Sequence, residues 1–313
     1  MAGPSALPTI VPLPDYTAER TAHIARLLQG AVDLHCHSGP AAMPRIISHA
    51  QAMREADEAG FDVLLYKDHY YSGMNHVTVL DEVFPDKNVR LMSGIALNNA
   101  EGGINPFAVD HCIATGGQIV WMPTFSATNH IEAYAAKSFP KTARPMLPPV
   151  GLSAVDANGR LTDDTLKVID LIAAGNIILS GGHLPVGELH LLFDEAKKRG
   201  VQKMMVNHPT YLIGCSDEDI RQMVAQDVYM EHSICMFIES RVKQHDTADL
   251  VHLINVAGPD HTILGSDLGL TQAPKPVDGY RMVVSDLIDA GVTDEVIRQI
   301  TATSAKTLLA KGA

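Results

Sequence analysis

The strongest constraint on the fold is an alternation: eight short runs rich in β-branched and apolar residues, each followed by a longer stretch with helical periodicity. The runs fall at 31–37, 62–69, 89–98, 118–124, 176–183, 203–209, 228–233 and 262–268. In the stretches between them, such as 47–59 and 188–199, apolar residues recur every three or four positions, and Gly60 and Gly200 supply the stops. Strands alternating with helices of this kind imply parallel βαβ units. Right-handed crossovers close eight such strands more naturally into a barrel than into an open sheet. The expected fold class is therefore α/β, a single (β/α)8 TIM-type barrel over residues 1–313. A Pro-rich leader and a helix near 18–29 occupy residues 1–30, ahead of the first strand. The long irregular stretch 125–161, with its prolines and the turn-like Asp156-Ala157-Asn158-Gly159, is expected to cross the strand ends as a lid.

Composition narrows the partners. Apolar residues make up 46% of the chain and charged residues 19%, enough to bury a core and too few charges for a disordered polymer. The net charge of -12, with no Lys/Arg cluster, argues against nucleic acid, whose phosphates demand basic patches. No uncharged apolar run approaches the ~18 residues of a membrane span, and residues 1–14 lack the basic and apolar regions of a signal peptide. Cys36, Cys112, Cys215 and Cys235 show no CxxC spacing and fit a reducing cytoplasm. A small-molecule substrate is the expected partner, and nothing forbids a homo-oligomer.

Chemistry concentrates where the strands end. The first closes on Asp33-Leu34-His35-Cys36-His37, the fifth on His183, the sixth on His208 and the eighth on Asp267. In a strand, residues two apart share a face, so His35 and His37 can point together into a barrel mouth while Cys36 points away. Imidazoles and a carboxylate suit Zn, Mn, Fe or Ni. Such an ion lowers the pKa of bound water to about 7, and Asp267 is the candidate general base. One strand histidine alone is more often a core residue, but this set falls at the C-terminal ends of strands one, five, six and eight, where barrel active sites are built.

The order HxH, His, His, Asp resembles the amidohydrolase superfamily of metal-dependent hydrolases from Asp33 to Asp267, and the ending 300–309 looks like that superfamily's closing helix. The resemblance implies His35 and His37 as ligands of one metal, His183 and His208 as ligands of a second, and Asp267 as ligand and base. In mononuclear members the position of His208 instead polarises the substrate. The fourth strand offers no bridging carboxylate or lysine, whereas strand two ends Tyr66-Lys67-Asp68-His69, so Lys67 is the candidate bridge, as a carbamate. An ordinary lysine paired with Asp68 or Glu231 is the alternative. The stretches Asp33-Leu34-His35-Cys36-His37-Ser38 and Asp68-His69 also resemble the PHP phosphoesterases, but Ser266-Asp267-Leu268-Gly269 departs from that family's closing DxH.

Candidate substrate contacts at the mouth are His69, Tyr70, Asn98, Trp121 and Glu231. No GxGxxG follows a strand, and GxxxxGK[ST], HExxH and GxSxG are absent. The expected activity is metal-activated hydrolysis of a small amide, lactam, lactone or ester, with one or two divalent ions, zinc first. The alternatives are a mononuclear decarboxylase of the same superfamily, a PHP-like phosphoesterase, and a non-enzymatic metal-binding barrel. The last is disfavoured because structural metal sites tend to be closed and cysteine-rich.

Overall fold

The computed structural model describes residues 9–135 and 141–312. The fold is α/β with parallel sheets. Its strands are β1 (Val32–Cys36), β2 (Val63–Tyr66), β3 (Arg90–Ser93), β4 (Ile95–Ala96), β5 (Ile119–Trp121), β6 (Ile178–Ser180), β7 (Met204–Asn207), β8 (Val228–Ser233) and β9 (Thr262–Gly265). Two sheets run in the orders β1-β2-β3 and β4-β5-β6-β7-β8-β9, and every pairing is parallel. Only Gly94 separates β3 from β4, so the third expected run is a single extended segment broken at that glycine. At the other margin, Asp267 N–H donates to His35 O (2.6 Å) and His37 N–H to Leu268 O (2.9 Å), which ties the end of β1 to the chain leaving β9.

The strands sort their side chains onto two sides. Val32, Leu34, Val63, Leu65, Met92, Ile119, Trp121, Ile178, Met205 and Ile263 form one apolar cluster, which Ala305 and Leu308 of the C-terminal helix Ser304–Ala310 also join. Cys36, Leu64, Tyr66, Val120, Leu179, Val206 and Leu264 pack instead against the helices. The expected closing helix is thus a plug on the strand cluster. Helices His49–Glu58 and Val186–Lys198 match the periodic stretches before Gly60 and Gly200, and Ser48 opens the first with a reciprocal capping box.

Part of the expected leader (residues 1–8) and part of the expected lid (136–140) lie outside the described residues. The remainder of 125–161 includes helix Thr128–Tyr134 and a tight turn in which Asp156 Oδ1 accepts from the N–H groups of Asn158 and Arg160. Among the described residues no helix is long and apolar enough to cross a membrane, and all four cysteines are free and buried.

Gly269 occupies the tightest point of the seam. Its φ is +108° and a Cβ there would stand 1.6 Å from His37 O. Gly269→Ala should lower stability by about 2–4 kcal/mol, from backbone strain and overlap together. The check is the urea midpoint, and a variant as stable as the parent would contradict this account of the seam.

Candidate metal centre

β1 changes parity as it reaches its end. Asp33 pairs with Leu64 but Cys36 pairs with Tyr66, so three residues of β1 are spanned by two of β2. That bulge lets Leu34 face the apolar interior while His35 and His37, on the following stretch, line a cavity at the strand ends. Asp33 braces it, with Oδ1 accepting from His35 N–H and Ser266 N–H, both at 2.9 Å. Asp267 and His208 sit where the chain turns off its strands, with φ of 48° and 36°. Such left-handed backbone is uncommon without glycine and is enriched at functional sites.

The hydrogen bonds behind the two histidines fix their tautomers. His35 Nδ1 lies 2.9 Å from Glu231 Oε2 and His37 Nδ1 lies 2.8 Å from Lys67 O. Both oxygens only accept, so each Nδ1 carries the proton and each Nε2 presents a lone pair to the cavity. Asp267 Oδ1 stands 3.3 Å from His35 Nε2 and 3.0 Å from His37 Nε2. The three acceptor atoms thus converge, all within 4.8 Å of one another, with no proton to share among them. Burial, followed by the nearby Arg45 charge, pushes His37 down to about 3 and keeps it neutral. A divalent cation satisfies three such lone pairs at once, and the donor set of two imidazoles and a carboxylate fits one. A carboxylate and a backbone carbonyl, as Glu231 and Lys67 supply here, are the kind of partner that orients histidines at metal sites.

Lys67, His69, His183 and His208 line the same cavity. Lys67 Nζ approaches His35 Nε2 at 3.0 Å, and burial lowers its pKa to about 8 against the pull of Asp267 and Glu231. Among the described residues it forms no ion pair with Asp68 or Glu231, contrary to the ordinary-lysine alternative. His183 Nδ1 meets His130 Nδ1 at 2.8 Å. Burial depresses both His183 and His208, the latter to about 4.

Four expected substrate contacts are placed differently. Trp121 belongs to β5, fully buried in the strand cluster with Lys67 Nζ 5.2 Å above its ring, because the strand ends there and the loop begins later. Glu231 is also buried, turned toward His35, Asn207 and Ser233 and away from the cavity. Asn98 spends its amide on the fold: Oδ1 accepts from Thr124 N–H and Ser126 N–H, and Nδ2 donates to His69 O and Thr124 Oγ1. Tyr70 and Asn98 border a second hollow along 145–150, which shares Phe125 with the first. His69 does line the cavity, stacked on Phe125 at 3.8 Å. His130, a further candidate for the mouth, lines it too, and so do Arg45, Tyr134 and Tyr211, which were not anticipated as site residues because they come from loops and helices without a strand-end signature.

Parallel strands alternating with helices are a fold that this chain shares with several solved enzymes. The structure is similar to an amidohydrolase from Pseudomonas aeruginosa (TM-score 0.65, 11% identity, covering 93% of this chain and 98% of that one). It is also similar to the probable dipeptidase PvdM from Pseudomonas aeruginosa (TM-score 0.66, 10% identity, 94% and 98% covered). A third similar structure is 2,6-dihydroxybenzoate decarboxylase (TM-score 0.55, 10% identity, 90% and 99% covered). By sequence the chain belongs to the "Family of unknown function (DUF6282)", whose profile matches residues 30–231. No curated protein matches it significantly.

If Glu231 sets the His35 tautomer, Glu231→Gln should weaken zinc affinity about 10–100-fold. Competition with a chromophoric chelator measures it, and unchanged affinity would remove Glu231 from the centre.

Proposed function

We propose that the chain is a metal-dependent hydrolase that cleaves an amide, lactam, lactone or other ester bond of a small molecule. The convergence of His35 Nε2, His37 Nε2 and Asp267 Oδ1 on one point carries this reading. We read the two sheets as one closed (β/α)8 barrel, which the links across Gly94 and between β1 and the chain after β9 support. A divalent ion there, zinc before manganese, iron or nickel, would supply Lewis acidity and make water nucleophilic near neutral pH. In this reading Asp267 would be the general base, taking a proton from water and returning it to the leaving group. His208 has a buried Nδ1 without a hydrogen-bond partner among the described residues, a group suited to polarise a substrate carbonyl. Phe125, Met236 and Leu270 give the cavity an apolar wall that limits water.

A second ion would draw on His183 and His208. Lys67, in contact with His35 and lining the same cavity as His183 and His208, would supply the carbamate in a two-metal form. Mononuclear decarboxylation is the second reading, favoured by the compactness of the three-atom set and by the likeness to a decarboxylase fold. The chain 125–161, a probable dipeptidase's fold and the buried free cysteines fit a cytoplasmic small-molecule enzyme with a lid.

Zinc- or manganese-loaded protein should turn over at least one compound in a panel of dipeptides, lactams, lactones, esters and aromatic carboxylates. Chelation should abolish that activity and metal restore it, and Asp267→Asn should lower kcat about 10²–10⁴-fold. Release of CO2 would select the decarboxylase reading. Three ions per chain with inhibition by phosphate would select the PHP-like phosphoesterase. Complete failure across the panel at full metal loading would overturn the enzyme reading.

A further inference from the structure

We infer that Arg45 anchors a carboxylate of the substrate, so that the compounds turned over at this site are small carboxylic acids. The inference rests on the hydrolase reading above and specifies what that site accepts. Arg45 lies on the loop between β1 and helix His49–Glu58 and lines the same cavity as His35, His37 and Asp267. Its loop is fastened on both sides. Gly39 N–H donates to Ile47 O (2.9 Å), His49 N–H to Gly39 O (2.7 Å) and Ile46 N–H to Gly269 O (3.1 Å). The backbone that carries Arg45 is therefore held in place before any ligand arrives.

What the guanidinium lacks is a partner. Nε and Nη1 are buried and have no hydrogen-bond acceptor among the described residues. Nη2 lies 3.3 Å from His37 Nδ1, but that nitrogen already directs its hydrogen at Lys67 O, so the contact pairs two donors. No ion pair joins Arg45 to a described carboxylate. Asp68 and Asp267 are the acids it senses, yet Asp68 Oδ1 accepts from Tyr70 N–H and Asp267 Oδ1 faces the two imidazoles. A buried cation left unpaired is destabilising. An anionic ligand that supplies the missing acceptors offsets that cost, whereas a neutral one leaves it standing.

The surrounding charge points the same way. The cavity holds Arg45 and Lys67, with exposed Arg241 also on its lining, against the single carboxylate of Asp267, although the whole chain carries -12. A cationic pocket in an acidic protein concentrates small anions. Between the common anions, a carboxylate matches one planar guanidinium. A phosphate is more often cradled by several backbone N–H groups from a glycine-rich turn or helix start, and among the described residues no glycine lines this cavity.

The test is calorimetric titration of the full chain as purified with succinate, glutarate, benzoate, neutral succinamide and inorganic phosphate, in parallel with Arg45→Met and Arg45→Lys. The parent should bind at least one carboxylate at least tenfold more tightly than Arg45→Met, with Arg45→Lys between them and succinamide indifferent to the substitution. Equal carboxylate binding by parent and Arg45→Met, or no carboxylate binding by the parent, would overturn the inference, and so would a preference for phosphate over every carboxylate. Elemental analysis of the same samples separates the two levels of the argument. Metal retained in both variants while carboxylate affinity falls assigns the loss to Arg45. Absence of metal from the parent defeats the hydrolase reading and leaves the titration to judge Arg45 alone. Arg45→Lys, which keeps the charge and most of the volume, guards against Arg45→Met failing to fold.

Discussion

Everything at this end of the molecule depends on the seam between the end of β1 and the chain leaving β9. Two backbone hydrogen bonds, from Asp267 N–H to His35 O and from His37 N–H to Leu268 O, hold segments more than two hundred residues apart in register. Register decides which side chains meet. Because the bonds flank Asp267, its carboxylate is delivered to the Nε2 atoms of both histidines. Gly269 is required at the crossing because a side chain would occupy the space of the His37 carbonyl. The same crossing ties down the loop bearing Arg45 through Gly269 O. Fold and site thus share one set of hydrogen bonds, so weakening the seam should disturb both.

Behind the seam lies a layer of buried polar groups that never touches the cavity. Glu231 bonds His35, and Asn207 and Ser233 bond Glu231 in turn, while Ser180 donates to Asn207. Buried carboxylates are costly unless fully bonded, and this one is met by donors from β1, β7 and β8. The network locks the ring of His35 in one orientation and one tautomer. Gly265 leaves no room for movement here, since a Cβ would lie 2.6 Å from Glu231 Oε1 and 2.9 Å from His35 Cβ. Rigid support of this kind is what holds ligand atoms at coordinating distances without the ion having to organise them.

Much of this was legible in the sequence, for a physical reason. Strand alternation and strand-end histidines are local signals, and period two places His35 and His37 together while sending Cys36 to the helix side. Lys67, His183, His208 and Asp267 likewise fall at strand ends and reach the same cavity. Misplacements arose where local pattern stops deciding orientation. The ten-residue run 89–98 resolves into β3 and β4 around Gly94, and Trp121 ends its strand inside the core instead of opening a loop. Glu231 was visible as a strand-end carboxylate, but which way it faces follows from the bulge in β1 and the packing of Gly265, neither of which has a sequence signature. Arg45 lies eight residues beyond His37, in a loop whose path is set by contacts with Ile47 and Gly269, so no spacing rule points to it.

The central claim is that His35, His37 and Asp267 present three converging ligand atoms to one cation. X-ray absorption at the metal edge of the zinc-loaded protein tests it most directly. The account predicts a first shell of nitrogen and oxygen only, near 2.0–2.1 Å for the imidazole nitrogens, with the multiple-scattering signature of two or more imidazoles that weakens in His37→Ala. A sulfur ligand from any of the four cysteines, or a spectrum without imidazole scattering, would contradict it.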